Sequence, residues 1–257
     1  MVCGRIMQNA SVAALAASKD RQKEKAVTVM MLVRFSGHSG AGKSRLIAAL
    51  PHYGIECKRT LLYTSRQARN GESHGKDYYF LSRSAISALP AQDFHIGPVR
   101  EMLQAVDLAQ LETDLRSCAV VIVELFSDLW PGLIKRLEDR LSCPVPSVSL
   151  FMTSIDPQVV RGMPEALRAS FIESEVVRIL TARGKDEPDK VALRARSAVQ
   201  EILEAIGPDG HILYSRVFLS SPEGPDGQDE WTSQASPIGR AKQVLDDFIG
   251  FFRSVPQ

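Results

Sequence analysis

The chain has 257 residues, enough for one large domain or a core with a small satellite at about 150 residues per domain. Hydrophobic residues make up 44% and charged residues 24%, the usual balance of a globular protein, so global disorder is excluded. The 31 Lys and Arg residues nearly balance the 30 Asp and Glu residues, and a net charge of +1 argues against a general nucleic-acid binder. Four cysteines without a CxxC pair argue against zinc and indicate the reduced thiols of a cytoplasmic protein. No apolar run reaches the ~18 residues of a transmembrane helix, so no membrane partner is expected.

The first 26 residues differ from the rest of the chain. A weakly apolar stretch, residues 10–17, is followed directly by a charged segment, residues 19–25. Positive charge on that side of an apolar stretch argues against a signal peptide. We therefore expect residues 1–26 to form a flexible tail or short helix, and residues 27–257 to form the domain.

Beyond the tail, apolar runs alternate with segments of helical periodicity. The apolar runs predict strands at residues 27–35, 60–65, 76–82, 119–125, 147–152 and 211–219. The periodicity predicts helices at residues 44–50, 99–116, 165–183, 188–206 and 239–252. A segment rich in Pro, Gly and acidic residues, 222–236, predicts a mobile loop. Strands that alternate with helices predict an α/β fold with a parallel sheet flanked by helices.

A glycine-rich loop follows the first predicted strand and precedes the first predicted helix. Its sequence fits GxxxxGK[ST], the pattern of a phosphate-binding P-loop. Glycines let backbone N–H groups converge on phosphate oxygens, and the helix N-terminus favours an anion. The alternative is a glycine-rich turn that only joins strand to helix. The loop that we expect to bind ATP phosphates is Gly37, His38, Ser39, Gly40, Ala41, Gly42, Lys43 and Ser44.

A basic hairpin comes next. Arg66 and Arg69 lie three positions apart, near hydroxyl-bearing residues that include Tyr78. Two guanidinium forks and several hydroxyls can surround one phosphate, and Gly71 and Gly75 would turn the chain so that both strands face one ligand. On these residues alone, a solvated charged turn remains the alternative.

Taken together, these motifs are similar to those of one family. The hairpin resembles the GMP-binding signature of guanylate kinases and reads Arg66-x-x-Arg69-x-Gly71-Glu72-x-x-Gly75-x-Asp77-Tyr78-x-Phe80. The phosphate loop resembles that family's loop, with His38 where Pro is usual. Arg183-Gly184, followed ten residues after the glycine by Arg194, resembles the family's lid. The matches keep the family's order from about residue 27 to the end.

The resemblance implies a P-loop kinase core, an acceptor-binding subdomain at about 57–98 and a helical lid at about 183–197. It implies transfer of the γ-phosphoryl group of ATP, bound with Mg²⁺, to a nucleoside monophosphate, GMP or dGMP being the best single acceptor. By position, the catalytic cations would be Lys43, Arg183 and Arg194, and the magnesium ligands Ser44 and Glu124. The acceptor-binding residues would be Arg66, Arg69, Glu72, Tyr78 and His95.

The sequence departs from the family on the acceptor side. Leu62 stands where the signature has Ser, and His95 where a Glu reads the guanine edge. Residues 101–106 replace the family's Tyr-Tyr-Gly segment. Glu124 stands where an Asp-x-Asp pair is usual, and a strand-end cap is its alternative role. Because buried polar groups discriminate between bases, these changes bear on the identity of the acceptor more than on phosphoryl transfer.

Three readings of the whole chain follow. A small-molecule kinase explains every motif, with a sugar bisphosphate as an alternative acceptor. A non-catalytic guanylate-kinase-like binding module is the second, although such modules commonly lose the phosphate loop that is kept here. A P-loop switch or NTPase is the third, and it leaves the segment from Arg66 to Phe80 without a purpose.

Overall fold

A computed structural model of the protein describes residues 31–38, 40–69, 71–99, 101–182, 184, 187–206, 214–220, 230–231, 233 and 235–254. The predicted tail, residues 1–26, lies outside these residues. Among the described helices, none is both long enough and apolar enough to cross a membrane.

The strands of the described residues form two sheets. Their bounds are β1 (Met31–Ser36), β2 (Cys57–Arg59), β3 (Tyr63–Thr64), β4 (Tyr79–Phe80), β5 (Phe94–Val99), β6 (Met102–Asp107), β7 (Val120–Val123), β8 (Ser147–Thr153) and β9 (Arg216–Leu219). The larger sheet has the order β2-β7-β1-β8-β9, and all its pairs are parallel. The smaller sheet has the order β4-β3-β6-β5, with one parallel and two antiparallel pairs.

Helices connect and cover the strands. Their bounds are α1 (Lys43–Ala49), α2 (Arg83–Ser87), α3 (Leu108–Ser117), α4 (Trp130–Leu141), α5 (Pro157–Gly162), α6 (Glu165–Ala182), α7 (Pro188–Ile206) and α8 (Gly239–Ser254). Short 3₁₀ turns lie at Leu50–Tyr53 and Ser127–Leu129. The predicted helices 44–50, 165–183, 188–206 and 239–252 agree with α1, α6, α7 and α8 within two residues.

The central strand β1 is buried on both faces, as its continuous apolar run predicts. Val33 and Phe35 are fully buried and pack on the side of α1 and α8, where the Phe35 and Phe248 ring centroids lie 5.3 Å apart. Leu32 points the other way and packs with Leu111 of α3 and Leu133 of α4. The phosphate loop therefore starts from the most buried strand of the sheet.

The prediction of one helix over 99–116 is wrong. Residues 94–99 and 102–107 form a hairpin, β5 with β6, and the helix begins only at Leu108. The apolar residues Met102, Leu103 and Val106 fit helical spacing, but pairing with β5 buries the segment in a sheet instead. Asp107 ends β6 and caps α3, because its Oδ1 accepts the Gln110 N–H at 2.9 Å.

The residues of the smaller sheet do not have the same bounds as the acceptor-binding subdomain predicted at 57–98. Cys57–Arg59 belongs to the larger sheet, where it pairs with β7, and the smaller sheet extends as far as Asp107.

The predicted mobile loop, residues 222–236, lies mostly outside the described residues. Within it, however, Glu230 and Trp231 are buried, and Glu230 Oε2 accepts the Ala241 N–H of α8 at 2.8 Å.

One edge of the smaller sheet is fastened to α4. The guanidinium of Arg136 donates hydrogen bonds to the carbonyls of Ala91, Gln92 and Phe94, the last at 2.6 Å. His95 Nε2 lies 2.9 Å from the Leu129 carbonyl oxygen. Edge strand β5 is thus bound to the core through two side chains.

Candidate active site

The phosphate loop joins β1 to α1, where the sequence predicts it. Gly37 has φ 144°, and a Cβ there would lie 2.0 Å from the Met152 carbonyl oxygen, so only glycine fits between β1 and β8. Gly42 caps α1 with φ 95°, and its carbonyl accepts the Arg45 and Leu46 N–H groups at 3.0 Å. Ser39 lies outside the described residues. The remaining loop residues form one tight turn above the sheet.

Lys43 lies inside this turn. Its Nζ donates to the carbonyls of Gly37 and His38, the second at 3.3 Å. Burial lowers the pKa of Lys43, and the charges of Arg69 and Arg194 add to that effect while Glu124 and Glu201 oppose it. The ammonium group is therefore partly desolvated, and cations from two distant segments lie near it.

His38 has a definite role in the loop rather than that of a spacer. It is fully buried, and its Nε2 accepts the Ser154 N–H at 3.0 Å and lies 2.9 Å from Ser154 Oγ. Because Nε2 accepts from a backbone amide, the imidazole is neutral in this arrangement, with its proton on Nδ1. His38 thus joins the phosphate loop to the end of β8.

Glu72 organises the two predicted acceptor arginines. Its carboxylate receives a bidentate pair from Arg66, Nη1 to Oε2 at 2.5 Å and Nη2 to Oε1 at 2.8 Å. The Arg69 N–H donates to Glu72 Oε2 at 2.8 Å, while the Arg69 guanidinium lies 3.9 Å away. Burial alone would raise the pKa of Glu72, but the hydrogen bonds from Arg66 and Arg69 outweigh it and the pKa is lowered. Glu72 therefore holds the Arg66 guanidinium and the Arg69 backbone, and its contact with an acceptor stays a prediction.

Tyr78 lies between two arginines. The Arg66 Cζ atom is 4.7 Å and the Arg59 Cζ atom 5.6 Å from the centre of its ring. Burial raises the pKa of Tyr78 to about 12, with Glu124 adding to the rise and the arginines opposing it. The phenol is therefore a hydrogen-bond donor across the physiological range.

Arg59 is a site residue that the sequence reading missed. Its Nη2 lies 2.6 Å from Glu124 Oε2, with the side chains 22% and 10% exposed. Arg59 ends β2 and Glu124 follows the neighbouring strand β7, and parallel strands bring their carboxyl ends to one edge. The sequence gives no local signal for this pair, because the predicted strand nearest Arg59 begins only at residue 60.

The oxygen donors suit magnesium only in part. The described residues contain no group of three or more His, Cys, Asp or Glu side chains that would hold a metal. Ser44 is exposed at the start of α1, and one carboxylate oxygen of Glu124 pairs with Arg59. One hydroxyl and one carboxylate are hard donors that leave most positions to phosphate and water, as Mg²⁺ prefers.

Only part of the predicted lid, residues 183–197, belongs to the residues that the structure describes. Arg183 lies outside them, and the part of the lid from Pro188 to residue 197 forms the first half of α7. Arg194 lies on that helix, and its charge lowers the pKa of both Lys43 and Arg69. The role of Arg194 in a lid stays a prediction.

The two guanine-reading positions have other partners. Leu62 is 1% exposed and packs in the apolar core with Val106 and Leu125. The His95 ring bonds the Leu129 carbonyl and packs against Gly132, where a Cβ would lie 2.9 Å from its Cε1. Burial lowers the pKa of His95, so the imidazole is predominantly neutral at physiological pH. The contact of His95 with an acceptor stays a prediction.

The chain is similar to known proteins of one family. A family model described as guanylate kinase matches residues 29–98. The guanylate kinase of Pasteurella multocida is 30% identical over 174 residues, which cover 65% of this chain and 72% of that protein. The chain belongs to the guanylate kinase family. It is therefore a phosphotransferase, and the predicted family, α/β fold and enzyme class are confirmed.

Other guanylate kinases are also similar to this chain. The guanylate kinase of Alkalilimnicola ehrlichii is 30% identical over 177 residues, 65% of this chain and 72% of that protein. The solved structure of the guanylate kinase from Anaplasma phagocytophilum matches 88% of this chain and 86% of its own with a TM-score of 0.48 at 16% identity.

Proposed function

We propose that this kinase transfers the γ-phosphoryl group of ATP to a nucleoside monophosphate, with GMP or dGMP as the best single acceptor. The observation that carries the proposal is the position of Lys43 inside the phosphate loop, where Arg69 and Arg194 are near enough for their charges to lower its pKa. These residues come from the phosphate loop, the acceptor hairpin and α7. Three cations whose charges act on one another suit a site where two phosphate-bearing anions must approach each other.

Each group then has a role in the transfer. Lys43 leaves the loop carbonyls to bind the β- and γ-phosphates of ATP, and Arg194 and Arg183 neutralise charge on the moving phosphoryl group. Arg66, Arg69 and the Tyr78 hydroxyl hold the acceptor phosphate, with Glu72 fixing both arginines. Ser44 would bind Mg²⁺ directly and Glu124 through water, and the ion would lower the charge on the phosphate oxygens when bound.

A sugar phosphate or bisphosphate is the second candidate acceptor. The observation that favours it is the burial of Leu62 in the core and the bond of His95 to Leu129, since both positions read guanine in the family. The phosphate-binding residues remain the same for either acceptor. The described cysteines, Cys57, Cys118 and Cys143, are free thiols, which suits the cytoplasm, where we place the reaction.

The test is ADP release from ATP and Mg²⁺ across GMP, dGMP, AMP, UMP, CMP and phosphorylated sugars, each against a blank without acceptor. We expect Lys43→Ala to lower kcat by roughly 10²–10³-fold and Arg66→Ala chiefly to raise the KM of the acceptor. Arg116→Ala, which removes an exposed ion pair on α3, is the matched control. Transfer that survives Lys43→Ala unchanged would refute the placement of the phosphate site. ATP binding without transfer to any acceptor would favour a binding module.

A further inference from the structure

Gln104 carries a buried polar atom that the protein itself does not satisfy. The residue lies within β6 and is 6% exposed. Its side-chain oxygen Oε1 is buried and has no hydrogen-bond partner among the described residues. An unpaired buried carbonyl destabilises a fold, so native proteins pair such groups with protein, water or a ligand.

The side chain points to the same face of the smaller sheet as the acceptor residues. Gln104 is paired with Thr64 of β3, and Thr64 is paired with Phe80 of β4, so the three side chains share one face. Tyr78 lies two residues before Phe80 and so on that face too. The Arg66 guanidinium extends over it, 4.7 Å from the Tyr78 ring and 5.2 Å from the Phe80 ring. Gln104 therefore shares the face of the residues that we assign to the acceptor phosphate.

Neither neighbour of Gln104 on this face donates a hydrogen bond to its oxygen. Its partner on β5 is Gly97, which has no side chain, and Leu129 from the core fills that space, since a Cβ on Gly97 would lie 2.0 Å from Leu129 Cδ2. On the other side, the Thr64 hydroxyl is fully buried and accepts the Arg66 N–H at 3.4 Å. One neighbour is apolar and the other is engaged with the acceptor hairpin.

We propose that Gln104 recognises the base of the acceptor: its Oε1 accepts a hydrogen bond from an N–H group of a nucleobase whose 5′-phosphate Arg66 and Arg69 hold. This proposal rests on the proposed function. A glutamine amide presents an acceptor beside a donor, and that pair is complementary to a base edge with an N–H next to an acceptor, as purines have. Gln104 would then supply the base recognition that Leu62 and His95 do not.

The experiment measures binding without ATP, so that it does not depend on turnover. GMP, IMP, AMP and ribose 5-phosphate are titrated by calorimetry into the wild type, Gln104→Leu and Gln104→Met. Both variants replace the amide by an apolar side chain of similar size, which suits a buried site. Gln110→Leu is the matched control, because the Gln110 amide lies on α3 and already donates to Asp114 at 2.7 Å.

We expect the wild type to bind at least one nucleoside monophosphate more tightly than ribose 5-phosphate. Both Gln104 variants should bind that ligand about ten- to a hundredfold more weakly and bind ribose 5-phosphate with unchanged affinity. Their melting temperatures should be equal to or above that of the wild type. Loss of binding to GMP but not to IMP would assign the N–H to the exocyclic amine.

Equal binding of every ligand by the wild type and both variants would overturn the proposal, as would an equal loss for all ligands including ribose 5-phosphate. A hydroxyl of the sugar as the donor would appear as a loss for ribose 5-phosphate of the same size, and it too would refute base recognition. If base-selective binding depended on Gln104 but no phosphoryl transfer occurred, the inference would stand and the proposed reaction would fail.

Discussion

Arg59 and Glu124 form an ion pair, Nη2 to Oε2 at 2.6 Å, across the ends of two neighbouring parallel strands. The pair stands beside Tyr78, whose ring the Arg59 guanidinium approaches, and close enough to Lys43 for the Glu124 charge to raise the lysine pKa against the effect of burial. Burial would also lower the pKa of Arg59, but the carboxylate outweighs it and the pKa is raised. Arg59 thereby connects the phosphate loop side of the site to the acceptor side.

Arg59→Ala should destabilise the fold by about 1–3 kcal/mol, because it leaves the Glu124 carboxylate largely buried without its partner. The double variant Arg59→Ala/Glu124→Ala should lose less free energy of unfolding than the two single variants lose together. Urea unfolding of the four proteins measures this coupling. Strictly additive losses would show that the ion pair contributes nothing to stability.

Gly37→Ala should disrupt the phosphate loop. A methyl group there would overlap the Met152 carbonyl oxygen at a φ that L residues rarely adopt, so we expect a loss of more than about 3 kcal/mol or failure to fold. Gly54→Ala is the matched control, because Gly54 also has a positive φ, 74°, but nothing lies within 4 Å of the added atom. Gly54→Ala should lower the free energy of unfolding by only about 1 kcal/mol. Similar melting temperatures for the two variants would contradict the close packing of β1 on β8.

Glu72→Gln should lower stability at neutral pH by about 1–3 kcal/mol, since it weakens the bonds from Arg66 and Arg69. The folded-state pKa of Glu72 lies below the ordinary value of 4.5, so its stabilisation is complete above that value and is lost as the pH falls through the lowered pKa. The difference between wild type and variant should therefore shrink between about pH 5 and about pH 3. Urea unfolding along this range is the measurement. Glu112→Gln, at an exposed ion pair, is the control, and a pH-independent difference for Glu72 would be the contrary result.

Cys57 should react slowly with iodoacetamide. Burial raises its pKa from 9.0 to about 11, with Cys118 contributing, which lowers the thiolate fraction at about pH 8 roughly a hundredfold. Exposed Cys143 should be labelled first. Peptide mass spectrometry against time compares the two sites, and labelling in urea should make their rates similar. Equal rates in the folded protein would contradict the burial of Cys57.

The features that sequence predicts well here are local ones. The phosphate loop depends on eight consecutive residues between a strand and a helix, and the hairpin arginines on a short signature. By contrast, β6 was predicted as helix because the spacing of Met102, Leu103 and Val106 suits either element. Only the pairing with β5, a tertiary interaction, decides between them.

Site residues that act through distant contacts were missed for the same reason. Arg59 meets Glu124 across 65 positions of sequence, 59 against 124, and only the strand order brings them together. Gln104 lies in a segment that the helical reading would have placed on a surface. His95 is predicted from its position in the resemblance to contact the base, and the sequence gives no sign that its ring bonds Leu129 from another segment.

The attachment of β5 to α4 has a consequence for motion within the protein. Arg136 and His95 hold the β5 edge of the smaller sheet, while β4, which directly follows Tyr78, forms the opposite edge. A rotation of this sheet about β5 would preserve those bonds, and displacement would then grow across the sheet and be largest at β4. Such a rotation would carry Tyr78 and the arginines through an arc while the strand next to the axis hardly moves. The bonds of Arg136 and His95 therefore fix one edge of the smaller sheet, and Tyr78 and the hairpin arginines lie toward the opposite edge.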